Sequence, residues 1–170
     1  MQAKNRRRGN SIVEFTLAGI PVIFMVWGTV QVSLAMWHYH TLAHTVNEAA
    51  RYAAVRGQGC VSNGNTCSAT VGMIASQIKS TAIGIPADQL NVTLTTDSGQ
   101  SLPCAPLNSC LSNTTVWPPA TNNDNVPGKN VTISAHYVFS SGVTILWPGA
   151  GTATIGVIAL PAKSTQQIVF

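Results

Sequence analysis

The sequence predicts an α+β protein: a long, kinked N-terminal helix that crosses a membrane, a short second helix, and a small three-stranded antiparallel sheet. Three observations predict it. A basic N-terminus is followed by an uncharged run of 23 residues, Phe15 to Trp37. An alanine-rich stretch without Pro or Gly, residues 41–56, continues it. Beyond Gly57, short segments with helical or alternating apolar spacing lie between turn-rich connections.

The uncharged run, as a helix rising ~1.5 Å per residue, is about 34 Å long, enough for a hydrocarbon core of ~30 Å. In residues 41–56, Leu42, Val46, Ala49 and Ala53 recur at helical spacing, and Glu48 with Arg51 forms an i,i+3 pair. One helix from about Ile12 to Arg56 is expected, with Pro21 kinking it about two turns in. Gly57 and Gly59 end the pattern.

Residues 69–83 put Val71, Ile74, Ile78 and Ala82 on one face of a second helix, closed by Gly84 and Pro86. Residues 90–96, LNVTLTT, alternate as a half-buried strand. Residues 97–128 read as a long Pro/Asn/Ser/Gly-rich connection. Residues 129–139 form the clearest strand, with Val131, Ile133, Ala135, Tyr137 and Phe139 on one face. Residues 152–160 form the third strand, and the terminal QQIVF adds a little more. The apolar segment 143–147, VTILW, is expected to pack in the core, with a docking surface as the other reading.

Charge narrows the function. Only 8% of the 170 residues are charged, against ~25% in ordinary soluble domains, and 45% are hydrophobic. Four of the nine cations are Lys4, Arg6, Arg7 and Arg8. From Asn10 onward, five cations and five anions cancel, 5 − 5 = 0. The pI of about 9.1 therefore belongs to the leader. No basic surface for nucleic acid remains. By the positive-inside rule the N-terminus stays in the cytoplasm and residues 57–170 are exported.

Four cysteines, Cys60, Cys67, Cys104 and Cys110, all follow the apolar run, where an oxidising compartment favours disulfides. Three pairings are open; the local one, Cys60–Cys67 with Cys104–Cys110, is expected. A zinc site is disfavoured, since no spacing is C-x2-C. His38, His40 and His44 cluster after Trp37, and on a helix His40, His44 and Glu48 share a face. An interfacial role beside Trp37 and Tyr39, or a subunit contact, is expected rather than a metal site. No nucleophile–base motif, P-loop or paired carboxylates are present, so no catalytic residue, cofactor, metal or small-molecule substrate is expected. The N-x-T sequons at Asn91, Asn113 and Asn130 are expected to be fortuitous.

The most specific signal is RRRG-NSIVEF. A basic leader, residues 1–9, ends in Gly9, and Glu14 stands at the head of the apolar helix. A carboxylate there is costly, at least ~2–3 kcal/mol at mid-bilayer and less near the interface, so a partner is expected. Cleavage after Gly9 would make Asn10 a free ammonium and Glu14 the fifth residue. The ammonium of one subunit could then meet the carboxylate of its neighbour. The plainer alternative is a headgroup-level residue satisfied by water or Arg8. A rival start is a secretory signal cut after Ser33-Leu34-Ala35, but its apolar region would be long and headed by Glu14.

This pattern resembles the processing site of type IV pilin-like proteins, cut by a prepilin peptidase between Gly9 and Asn10. GNSIVEFTLAGIPVIFMVWGTVQV followed by NEAARYAAVRG narrows the resemblance to the TadE-like family of the tight-adherence (Flp) pilus system. The residues that carry it are Gly9, Glu14, Phe15, Pro21 and Ala49–Gly57. The resemblance implies a pilin-like fold and a minor pilin or pseudopilin in pilus assembly, with Glu14 and Phe15 in subunit contacts. It implies a single-pass protein of a bacterial inner membrane, its C-terminal domain periplasmic or carried into a surface pilus. Its partners would be the membrane, the peptidase and other pilins. The alternative is a membrane-anchored periplasmic binding or scaffolding module that does not polymerise.

Overall fold

A computed structural model describes residues 7–63, 67, 69–142 and 157–170. The chain divides into two units, Met1–Met36 and Trp37–Phe170.

The first helix, α1, runs Arg7–Ala54, with helical assignment continuing through Pro21. It starts five residues earlier and stops two earlier than the sequence suggests. In the second unit, Leu42, Val46, Ala49, Ala50 and Ala53 of α1 are fully buried. Mostly small side chains on this stripe leave little distance between helix and neighbours. Burying a Val- or Leu-sized side chain contributes about 1.5–3 kcal/mol. The expected Glu48–Arg51 pair forms at 3.7 Å, exposed and therefore of little weight. Beyond Ala54, Arg56 folds back. Its Nη1 donates to the Tyr52 carbonyl at 3.1 Å, and its guanidinium lies 3.6 Å from the Tyr52 ring centroid. A cation on the last turn's open carbonyls suits the helix C-terminus.

The second helix, α2, spans Val71–Thr81. The Thr70 side chain caps it by accepting from the Met73 amide at 3.2 Å. Val71, Ile74, Ala75 and Ile78 face inward.

The sheet has four antiparallel strands, not three: β1 Leu90–Thr96, β2 Ser101–Cys104, β3 Asn130–Ser140 and β4 Val157–Gln167, ordered β2-β1-β3-β4. The extra strand, β2, comes from the segment read as a loop. It is a short edge strand holding Pro103, where proline's missing N–H need not break a ladder. The last strand also differs. The sequence placed it at 152–160, whereas the described strand covers Val157–Gln167 and so runs on through the polar KSTQQ. Pairing with β3 along its whole length, from Ser140↔Val157 to Asn130↔Gln167, sets its extent. Residues 152–156, and the VTILW segment 143–147, lie outside the described residues.

Leu90, Val92 and Leu94 of β1 meet Tyr137, Ala135 and Ile133 of β3 across the sheet, forming the buried face. Asn47 of α1 ties the helix to β4, its Oδ1 accepting from Ser164 Oγ at 3.2 Å and Gln166 Nε2 at 3.1 Å. The last residues close the core. Ile168 is buried and its amide donates to Lys129 at 2.8 Å.

Candidate functional site

The candidate site is the N-terminal part of α1. Along residues 12–34 the helix exposes apolar side chains on all sides, among them Ile12, Phe15, Leu17, Phe24 and Met25. A helix apolar all round with no protein cover is suited to lipid or to packing among similar helices. It is long and apolar enough to be a candidate membrane span. Its hydroxyls are internally satisfied. Thr29 Oγ1 donates to Met25 O at 2.9 Å, Ser33 Oγ to Thr29 O at 2.9 Å, and Thr16 Oγ1 to Ile12 O at 3.1 Å. Such back-bonding removes the cost of carrying these groups into hydrocarbon.

Gly9 and Asn10 lie within the helical backbone, which already runs from Arg7. Glu14 is exposed and stands about two turns from the helix start in the intact chain. In the intact chain it is therefore not a first-turn residue; only loss of residues 1–9 would put it near a free helix N-terminus, where a carboxylate is favoured. Phe15, the adjoining aromatic, is 78% exposed. Among the described residues nothing covers Glu14 and Phe15. Pro21 has no amide hydrogen, so the Leu17 carbonyl loses its usual helical donor.

The histidines separate rather than converge. His38 packs against Tyr137 and Phe139, with ring centroids 5.7 and 5.3 Å away. Its Nδ1 is buried and has no hydrogen-bond partner among the described residues. His40 and His44 are exposed. Among the described residues no group of three or more His, Cys, Asp or Glu side chains could share a metal ion.

The cysteines pair locally. Cys60 bonds to Cys67 with Cα atoms 5.5 Å apart, and Cys104 bonds to Cys110 with Cα atoms 5.6 Å apart. The second bond closes the turn that follows β2.

One polar feature was not legible in the sequence. Asp124 is fully buried, accepting from the Ser98 amide at 3.1 Å and from the Ser98 hydroxyl. Burial pushes its carboxyl up, but hydrogen bonds from Ser98 and Thr96, with Lys129 nearby, outweigh that and hold it below the usual range. The group braces the β1–β2 turn, where Gly99 has φ +86°. An open groove between α2 and residues 111–114 is lined by hydroxyls and amides such as Thr70, Ser76, Gln77 and Asn113. Its lining contains no carboxylate, histidine or cysteine.

Fold and site together define a class: an α+β unit carried on a helix whose far half is apolar enough to span a membrane. Residues 9–51 match the family model described as TadE-like protein. The resemblance read from the Gly9–Glu14–Phe15 start thus holds over that segment. No curated protein and no solved structure matches the chain.

Proposed function

We propose that this chain is a minor pilin or pseudopilin of the tight-adherence (Flp) type, a structural subunit rather than an enzyme, taking part in pilus assembly. The observation that carries the reading is the match from residue 9 to residue 51. It begins at the glycine proposed to be cut and covers the uncovered apolar helix. In this reading residues 1–9 are a leader held in the cytoplasm, α1 crosses the inner membrane, and residues 57–170 form the periplasmic domain. A prepilin peptidase cuts between Gly9 and Asn10, and the mature chain joins other pilins and the assembly machinery through Glu14 and Phe15.

N-terminal mass spectrometry of the native protein tests this. The expected chain begins at Asn10 and has lost four positive charges. Gly9→Val should block the cut, because a β-branched side chain crowds the scissile position. Intact Met1 in cells with an active prepilin peptidase would count against a processed pilin and favour an anchored module that never polymerises.

A further inference from the structure

Three separate segments meet at one level of α1, beside Trp37 and His38, where its apolar run gives way to His38, Tyr39 and His40. The first is the turn after α2. Gly84 backs onto Trp37 so closely that a methyl group on it would lie 2.7 Å from the indole Cη2. Ile83, beside it, is 68% exposed. The second and third are the ends of β3 and β4. Phe139 and Tyr137 pack on His38, which fixes the strand end at that height. Phe139 is paired with Ile158, Val138 with Ala159, and Ser140 with Val157. Val138, Val157 and Ile158 are each about two-fifths exposed or more, at 44%, 39% and 46%. Here β3 and β4 project beyond β1, whose pairing with β3 stops at Leu90↔Tyr137.

None of these exposed apolar groups has charged neighbours along its own segment. Residues 37–47, 80–87, 130–142 and 157–162 contain no Asp, Glu, Lys or Arg. The charges that bound these segments, Glu48, Lys79, Asp88, Lys129 and Lys163, lie just beyond them. Trp37 and Tyr39 are themselves partly exposed, as amphipathic rings are at a lipid–water boundary.

We propose that Trp37, Ile83, Val138, Val157 and Ile158 form a collar that rests in the headgroup layer of the membrane. The proposal rests on the reading that α1 spans the bilayer. The choice of lipid as occupant follows from covalent continuity. Headgroup layers extend roughly 5–8 Å beyond each side of the hydrocarbon core. If the apolar run, residues 15–37, fills that core, whatever touches Trp37 and His38 stands inside that layer. Apolar side chains without charges are stabilised there, whereas in water they would form an exposed patch. The collar would hold the folded unit at the membrane surface until the subunit is drawn into an assembly.

The test is full-length protein in nanodiscs, carrying an environment-sensitive fluorophore on one introduced cysteine per variant, prepared without reductant. The positions are Ile83→Cys, Ile158→Cys, Thr121→Cys as the exposed control, and Val26→Cys as the span control. The collar requires blue-shifted emission at 83 and 158, quenching there by doxyl-labelled lipid, and protection from aqueous iodide. The label at 121 should be quenched by iodide alone. Iodide quenching at 83 and 158 equal to that at 121 overturns the collar. A blue shift there without doxyl quenching also overturns it, since a protein contact would then cover the face. Loss of doxyl quenching at position 26 is a different failure: it removes the membrane span, and the collar with it.

Discussion

The amide of Val169 donates to the carbonyl of Ala54 at 3.2 Å, so the chain's penultimate residue satisfies the last residue of α1. Helix ends leave four carbonyls without internal partners, and here the C-terminal segment supplies one. Gly57 makes the approach feasible. A Cβ there would collide with the Phe170 carbonyl oxygen and the Ile168 side chain, and come within 2.8 Å of the Asn125 oxygen. The helix exit and the chain terminus thus share a space that fits only glycine.

Gly57→Ala should therefore destabilise the protein by about 1–3 kcal/mol, the usual scale for forcing extra volume into a packed site. Gly99→Ala is a useful contrast. Nothing lies within 4 Å of its Cβ position, so its cost comes from φ +86° alone. Thermal unfolding of full-length protein in detergent, followed by circular dichroism, checks both. An unchanged midpoint for Gly57→Ala would mean that the terminus does not pack there.

Asp124 predicts an acid limit to stability. Its carboxyl titrates below the ordinary value in the folded chain. The folded state thus holds its proton less tightly than the unfolded state. The stabilisation is complete above the unfolded value of ~3.9 and is lost as pH falls through the folded value. Asp124→Asn should flatten this part of the pH–stability curve, measured as midpoint against pH from about 5 to 2. Asp124→Ala should cost about 1–3 kcal/mol near neutrality, because the Ser98 amide and hydroxyl lose their charged acceptor. A curve for Asp124→Asn that falls as steeply as wild type would assign the acid loss elsewhere.

The cysteine pairs give a chemical test. Non-reducing peptide mapping of exported protein should recover Cys60 linked to Cys67 and Cys104 linked to Cys110. Sequence separations of 7 and 6 close small loops, so each bond should contribute near the lower end of the usual ~2–4 kcal/mol. A peptide joining the two loops would overturn the pairing.

What the sequence revealed follows from which force shapes each element. The elements α1, α2, β1 and β3 were legible because their buried faces recur at helical or alternating spacing, as with Val131, Ile133 and Ala135 of β3. The strand β2 was not, because Ser101–Cys104 is four residues long, contains Pro103 and buries only Cys104. Its register comes from the turn braced by Ser98 and Asp124, a contact 26 residues apart. In β4 only Leu160 is buried, and the alternating half-exposed positions beyond it are small or polar (Ala162, Ser164, Gln166), so hydropathy showed no pattern there and the strand is held by backbone pairing with β3. The start at Gly9, Glu14 and Phe15 was legible as a motif because it lies in one short stretch of chain, and the family match begins at that glycine. The helix start was not: charged residues at Arg7 and Arg8 gave no sign that α1 begins within the leader.

Glu14 separates assembly from mere anchoring. In a lone subunit its exposed carboxylate, near the start of the apolar run, can reach water or headgroups. Between packed helices that escape closes, and an unpaired buried carboxylate costs several kcal/mol or takes up a proton. The ammonium that cleavage creates at Asn10 of a neighbouring subunit would remove the penalty and fix the axial register of one helix against the next. Glu14→Ala should leave membrane insertion intact, because the run from Phe15 is untouched. It should impair pilus formation or co-purification with partner pilins. Glu14→Gln should be nearly as harmful, since it keeps the shape without the charge. Membrane fractionation paired with a piliation assay reads both effects. A Glu14→Ala protein that inserts and also assembles at wild-type levels would rule out the charge pair, even if the leader is cut as proposed.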